Sequence, residues 1–415
     1  VGKFSEEIIG GIKMRILSYG DNALTSTGYG QIWENLLMRW PKLKPDWEFM
    51  HVGWQNHDRE HLTKEGYISL PVAKVEYGFD TVLPYLLKYK PDILLTMADV
   101  GISAGFIDAV GEARKRGWTG RWVAISLFDT ESWEQMLWNK ILDFPDINMA
   151  GAINGKIIIE KNNVKNVHYI PLGVDTKRYL PLSNKEQLKE RFNFKGKFVV
   201  GFVGKNQRRK MQPYLMRGFA KFAKGKDDVI LLLHTDIESN AGWSLPCLIA
   251  KFEKEIDPEI EKPNPKIITT NTGLDVVARQ RISTEAMNEI YNLMDVFCYA
   301  VGGEGFGLPG IECQSAGVPL AMTNYSAACE IVSEEDLLIP VLEDKHGRRV
   351  MEIGANGVEN AIPDDIAITE KLEMLYKEFK EGKLKERAEK ARKFALKYDW
   401  EIIADKWIKF FEQEA

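Results

Sequence analysis

Short apolar runs alternate along this chain with longer stretches in which apolar residues recur every third or fourth position. The runs are MRILSY (14–19), ISLPV (68–72), PDILLTMAD (91–99), RWVAISLFD (121–129), FVVGFVG (198–204), VILLLHTD (229–236) and Val296 to Ala300. Each has the length of a buried strand, and FVVGFVG is also rich in β-branched and aromatic residues. Between them, IWENLLMRW, TVLPYLLKY and AGFIDAVGEARKR carry the period of a helix, as does a segment with Leu215, Phe219 and Phe222 on one face. A further helix begins at Thr284 and Glu285 and is expected to turn Met287, Ile290, Tyr291 and Leu293 inward. Strands alternating with helices predict an α/β protein whose parallel sheets are covered on both faces.

At 415 residues the chain exceeds one ordinary core, which predicts more than one domain. The stretch NVHYIPLGVDTKRYLP (166–181) has the prolines and glycine of a boundary, and SNKEQLKERFNF reads as a charge-rich connection to a second α/β domain. The Lys, Glu and Pro-rich segment 251–266 reads as an exposed excursion, and two charged helical stretches close the chain. The domain reading is therefore 1–180, 181–393 and a terminal helix over 394–415. No internal repeat or low-complexity tract is present.

Composition narrows the partners. Hydrophobic residues at 45% and charged ones at 28% are globular values, and a net charge of −5 argues against nucleic acid. The 4 cysteines, Cys247, Cys298, Cys313 and Cys329, show no C-x-x-C spacing, so neither a zinc site nor a disulfide framework is expected. No apolar run reaches the length of a membrane span, and the acids in VGKFSEEIIGGIKMRIL oppose a signal-peptide reading. The expectation is a soluble, cytoplasmic protein with at most peripheral membrane contact. Trp118 and Trp122 beside Arg114 to Arg116 offer one lipid-facing candidate, against the plainer reading of a helix end with surface charge.

The chemistry concentrates in YNLMDVFCYAVGGEGFGLPGIECQSAGVPL (291–320). An apolar strand ends in a glycine-rich turn that opens into a helix near Leu308. Gly305 and Gly307 allow close backbone approach and positive φ, and Pro309 suits the first helical turn, where its missing N–H leaves no bond unmade. The free amides at the helix start form an anion site. Glu304 in the turn and Glu312 in the helix flank it. Gly305, Gly307 and Gly310 also spell G-x-G-x-x-G, but Val301 to Glu304 separate them from the strand and a proline precedes the third glycine. The dinucleotide reading is therefore rejected.

After FVVGFVG come Lys205, Arg208, Arg209 and Lys210, four cations between a strand end and a helix start, where α/β domains hold phosphate. Earlier, Asp99 and Asp129 fall at the ends of their predicted strands, as sugar-hydroxyl partners or as helix caps. Gly28 and Gly30 follow the first strand, in a ligand-facing loop or an ordinary turn.

EGFGLP with a glutamate four residues after Leu308 resembles the glutamate motif of retaining GT-B glycosyltransferases, in particular glycosyltransferase family 4, the glycogen synthase and sucrose synthase-like group. The resemblance extends to NVHYIPLGVD, to TNYSAACEIV with Glu330, and to YDWE near the end, and so covers most of residues 14–410. It implies two Rossmann-like domains facing a central cleft, an acceptor in the first, a donor in the second, and a last helix crossing back to the first. It also implies hexosyl transfer with retention from a UDP-, GDP- or ADP-linked sugar to a sugar or other hydroxyl acceptor, with no further cofactor. Lys205 and Lys210 match the spacing of the family's diphosphate-binding arginine and lysine, with Lys205 in place of the arginine. Arg209, Gly28, Gly305, Phe306, Gly307 and Leu308 are placed around the donor, Glu312 on its ribose, and Glu304 and Asp129 near the transferred sugar. No metal is implied, and no D-x-D motif stands beside a strand end. The chain departs from the common pattern at Phe128, where many relatives have histidine. Two rivals are kept: a GT-B nucleotide-sugar epimerase and a non-catalytic sugar-nucleotide-binding protein.

Overall fold

The computed structural model describes residues 13–54, 56–72, 76–132, 140–258, 265–270, 282–354 and 357–414. The chain forms two compact units: Val1–Leu127 with Glu134–Gly173 and Trp400–Ala415, and Phe128–Trp133 with Val174–Asp399. The divisions expected after 180 and 393 thus lie at 173 and 399. Hydrogen bonds account for the shift: the Val174 amide donates to the Tyr398 carbonyl at 2.8 Å and the Thr176 hydroxyl bonds Asp399. The acidic opening segment lies outside the described residues.

The first unit is built on eight strands, β1 (Arg15–Asp21), β2 (Glu48–Trp54), β3 (His61–Leu62), β4 (Ile68–Leu70), β5 (Ile93–Met97), β6 (Arg121–Ser126), β7 (Ile147–Ala150) and β8 (Val167–Tyr169). They are ordered β3-β4-β2-β1-β5-β6-β7-β8, all parallel except β3 against β4. The apolar runs are strands because both faces are covered. β2 has no such plain signal, since His51 interrupts it. The imidazole is buried and bonds the Ser18 hydroxyl at 2.9 Å, and burial lowers its pKa to about 4. The terminal helix Trp400–Glu414 belongs to this unit, stacking Trp407 and Phe411 edge-on against Trp40. Trp118 and Trp122 are core residues whose ring N–H groups donate to the Pro91 carbonyl and the Thr96 hydroxyl, which removes the lipid-facing reading.

The second unit has a six-stranded, wholly parallel sheet of β9 (Phe198–Val203), β10 (Val229–His234), β11 (Ile267–Thr269), β12 (Val296–Tyr299), β13 (Leu320–Thr323) and β14 (Leu338–Ile339). Its order is β11-β10-β9-β12-β13-β14, and an antiparallel hairpin of β15 (Met351–Ile353) and β16 (Glu359–Ala361) stands apart. The chain moves outward from β9 through β10 to β11, then returns to β12 on the other side of β9. The direction of winding therefore reverses between β9 and β12, and open α/β sheets keep ligands beyond the carboxyl ends of the strands at such a point.

Three expectations are corrected here. The supposed connection SNKEQLKERFNF contains a helix, Lys185–Arg191, because Lys189 is a buried residue: its ammonium sits 2.6 Å from the Asp295 carboxylate and also donates to the Lys197 carbonyl. The excursion at 251–266 begins as the end of the helix Leu245–Ile256, with Phe252 and Ile256 buried; its 259–264 portion lies outside the described residues. On the helix Thr284–Leu293, Met287 and Ile290 are half-buried while Asn288 and Asn292 turn fully inward. Their side-chain oxygens accept the amides of Leu180 and Leu182 at 3.0 and 2.8 Å, so polar side chains occupy core positions by satisfying a backbone that has no sheet partner.

Candidate functional site

The glycine turn joins β12 to the helix Leu308–Ser315. Gly307 precedes that helix at φ 95°, a left-handed backbone that glycine adopts without steric penalty, and no side chain caps the helix start. Positive φ was expected at Gly305 and Gly307; it occurs at Gly303 and Gly307. At Gly303 a Cβ atom would lie 1.8 Å from the Asp129 carbonyl oxygen, so the missing side chain lets another segment close onto the turn. That segment begins at Phe128 and runs through 132. The strand expected over 121–129 ends at Ser126, and the residues after Leu127 belong to the second unit. Tyr325 holds them there, its hydroxyl bonding the Thr130 hydroxyl and the Glu131 amide, each at 3.0 Å.

The cationic loop after β9 meets the same turn. Its backbone is tied on by the Gly302 amide, which donates to the Arg209 carbonyl at 2.7 Å. Arg209 then donates to the Gly303 carbonyl at 2.8 Å and to Glu304 Oε1 at 2.9 Å, while its Nε lies 3.4 Å from Asp129. Lys210 is only 5% exposed; its ammonium bonds the same Glu304 oxygen and lies 2.6 Å from the Tyr299 hydroxyl, which donates to Glu304 at 2.8 Å. Three donors thus converge on one carboxylate oxygen.

The electrostatics follow from burial and charge together. Burial by itself would raise the Glu304 pKa, but the charges of Arg209 and Lys210 outweigh it and bring it to about 2. Burial and the neighbouring Arg209 charge lower Lys210 to about 8 against the opposing pull of Glu304. Burial and the Glu304 charge raise the Tyr299 phenol well above its ordinary value, so it remains a hydrogen-bond donor at neutral pH.

The remaining expected residues are distributed unevenly. Lys205 is exposed at the mouth of the loop, so the two lysines five residues apart occupy opposite environments. Arg208 lies over the Trp243 ring, 4.7 Å from its centre. Glu312 is buried on the Leu308–Ser315 helix and accepts the Tyr291 hydroxyl at 2.7 Å. Leu308 and Gly305 are half-exposed, whereas the Phe306 ring is buried edge-on against Tyr398 and packs the core. In the other unit, Gly28 is an exposed first residue of the helix Gly28–Leu37, capped by the Thr27 hydroxyl, and Asp99 accepts the Tyr29 hydroxyl at 2.9 Å. Phe128 is buried. Sequence reasoning overlooked Tyr299, Tyr325, Ser326, Glu131 and Arg349. The polar TNYSAACEIV loop after β13 was the signal available for two of them. Among the described residues, no group of three or more His, Cys, Asp or Glu residues is arranged to hold a metal.

Residues 197–347, which contain both loops, match the family model of glycosyl transferases group 1. Many solved structures resemble nearly the whole chain. Sucrose-phosphate synthase from Thermosynechococcus elongatus superposes with a TM-score of 0.71 at 15% identity, covering 97% of this chain and 99% of that one. The Anabaena protein HepE in complex with UDP and glucose gives 0.66 at 13%, covering 96% and 100%. The fold is GT-B. Mannosylfructose-phosphate synthase from Agrobacterium fabrum is 23% identical over 210 residues, 46% of this chain and 43% of that protein, so the match spans less than half of the relative's length. In the GT-B frame, the unit with the reversal between β9 and β12 contains the entire matched stretch.

Proposed function

We propose that this protein is a retaining glycosyltransferase that moves a hexosyl group from a nucleoside-diphosphate sugar to a hydroxyl acceptor. The observation that supports it most is the convergence of the cationic loop, the glycine turn and an uncapped helix start at the winding reversal between β9 and β12. Breaking the bond between the anomeric carbon and the β-phosphate oxygen builds negative charge on the leaving diphosphate. Fixed positive charge aimed at that oxygen is the largest single catalytic term such a site can supply. Lys205 and Lys210, with Arg209 beside them and the amides of Gly307 and Leu308, supply it without a divalent ion. Glu312 accepts hydrogen bonds from the ribose diol, and Glu304 and Asp129 stand beside the sugar, where positive charge develops as the bond breaks. The first unit takes the acceptor, whose hydroxyl oxygen bonds the anomeric carbon and gives up its proton to the departing diphosphate.

The similarity to a protein solved with UDP and glucose favours a UDP-hexose among the UDP-, GDP- and ADP-linked donors. The test is a panel of these donors with and without hydroxyl acceptors. Nucleotide released only when acceptor is supplied, with a glycosylated product of retained anomeric configuration, is the expected result. Epimerised donor, or tight nucleotide binding with no turnover under any pairing, overturns it.

A further inference from the structure

Ser326 is one of the few residues other than glycine with a left-handed backbone, at φ 54°, and it is 7% exposed. A residue with a Cβ atom occupies that region at a steric cost, and such outliers persist where surrounding bonds over-determine them. Here those bonds lead to Glu304. The Glu304 amide donates to Ser326 Oγ at 2.9 Å, and the Ser326 hydroxyl donates back to the Glu304 carbonyl at 3.1 Å. The Ser326 amide donates to Glu131 Oε1 at 3.1 Å, and Arg349 donates to Glu131 Oε2 at 2.7 Å. Arg349, Glu131 and Ser326 thus form a chain of contacts ending on the backbone of the residue whose carboxylate takes Arg209 and Lys210. Asp129, two residues before Glu131, reaches the same network through Arg209.

We propose that Ser326 is a positioning residue that fixes the Glu304 turn against Arg209 and Lys210, and that Glu131 and Arg349 hold Ser326 in the backbone conformation the task requires. This rests on the glycosyltransferase reading above. A reacting group displaced by about 1 Å forfeits on the order of a hundredfold in rate, so the bridge acts on turnover and hardly on nucleotide affinity.

Ser326→Gly separates positioning from folding, because glycine relieves the backbone conformation while deleting the hydroxyl. The expected result is a melting temperature within a few degrees of wild type, because relief of the left-handed backbone works against the loss of the hydroxyl's bonds, with an unchanged Kd for UDP, GDP or ADP and kcat lowered about ten- to a hundredfold. Glu131→Gln, which keeps an acceptor for the Ser326 amide but removes the charge facing Arg349, is expected to lower kcat by a smaller factor. A kcat within twofold of wild type in Ser326→Gly, or a fall matched by an equal loss of nucleotide affinity, overturns the proposal. If wild type transfers no glycosyl group from any donor, the parent reading fails and Lys210 decides the positioning claim separately. Its acylation rate, followed by mass spectrometry, is expected to rise in Ser326→Gly as Glu304 shifts away from it; an unchanged rate overturns the claim.

Discussion

Glu304 receives Arg209, Lys210 and Tyr299 on one oxygen inside the protein, and this makes it structural and electrostatic together. Its pKa of about 2 lies below the ordinary 4.5, so its stabilising contribution is present above about pH 4.5 and is lost as pH falls through 4.5 towards 2. The difference corresponds to roughly 3 kcal/mol. Urea unfolding of wild type should weaken across that window, whereas Glu304→Gln should start less stable at pH 7 and show a flatter acid limb. Equal acid limbs in the two proteins would remove Glu304 from the network. Lys210 titrates at about 8 because burial and Arg209 disfavour its charge. A diphosphate seated nearby would restore the proton, so nucleotide binding at pH 8.5 should be accompanied by proton uptake. Calorimetry in two buffers of different ionisation enthalpy measures it, and Lys210→Met should abolish it.

At the scale of elements, the Leu308–Ser315 helix separates the two glutamates. Glu304 precedes the helix and lies in the charge network, while Glu312 projects from the helix body and is anchored by Tyr291. A carboxylate bound to a ribose whose chemistry does not change stabilises ground and transition states alike. Glu312→Gln, which keeps an acceptor for Tyr291, should therefore raise the donor KM and weaken free nucleotide with modest change in kcat, and Glu304→Gln should lower kcat and spare nucleotide affinity. Nucleotide Kd and kcat for both variants check the assignment; unchanged nucleotide binding in Glu312→Gln would remove that residue from the ribose. The turn itself depends on Gly303 and Gly307, one for the approach of the Asp129 carbonyl and one for a left-handed start to the helix.

For the whole molecule, one mainly parallel and one wholly parallel sheet each place a strand-end loop at a reversal of winding, between β1 and β5 in the first unit and between β9 and β12 in the second. On the function proposed above, the lysines, arginine and backbone amides at the second of these would supply the counter-charge of the leaving diphosphate. The initial rate of transfer should therefore be nearly unchanged by excess EDTA. An enzyme silent in EDTA and restored by Mg²⁺ or Mn²⁺ would require a different phosphate site.

What the sequence determined by itself was everything with a local signature. Apolar runs of strand length mark strands buried on both faces, and the order of glycines and proline around EGFGLP marks a turn into a helix. The four cations after FVVGFVG mark the loop that meets this turn. The strand β2 escaped because His51 interrupts its apolar run, and β7, β11 and β13 escaped although β4 and β12, which are as short, were read. Only the tertiary structure decided which charges meet. Arg209 and Gly303 stand 94 residues apart, and Glu131 and Tyr325 194 apart, and no periodicity spans such distances. Strand order set the first pair side by side, and departure of the chain from β6 brought the second together. Local composition likewise placed Lys189 in a charge-rich connection and gave no sign that Asn288 and Asn292 turn inward. They are buried because each finds its hydrogen-bond partner in a segment far away in sequence, which only the folded chain supplies.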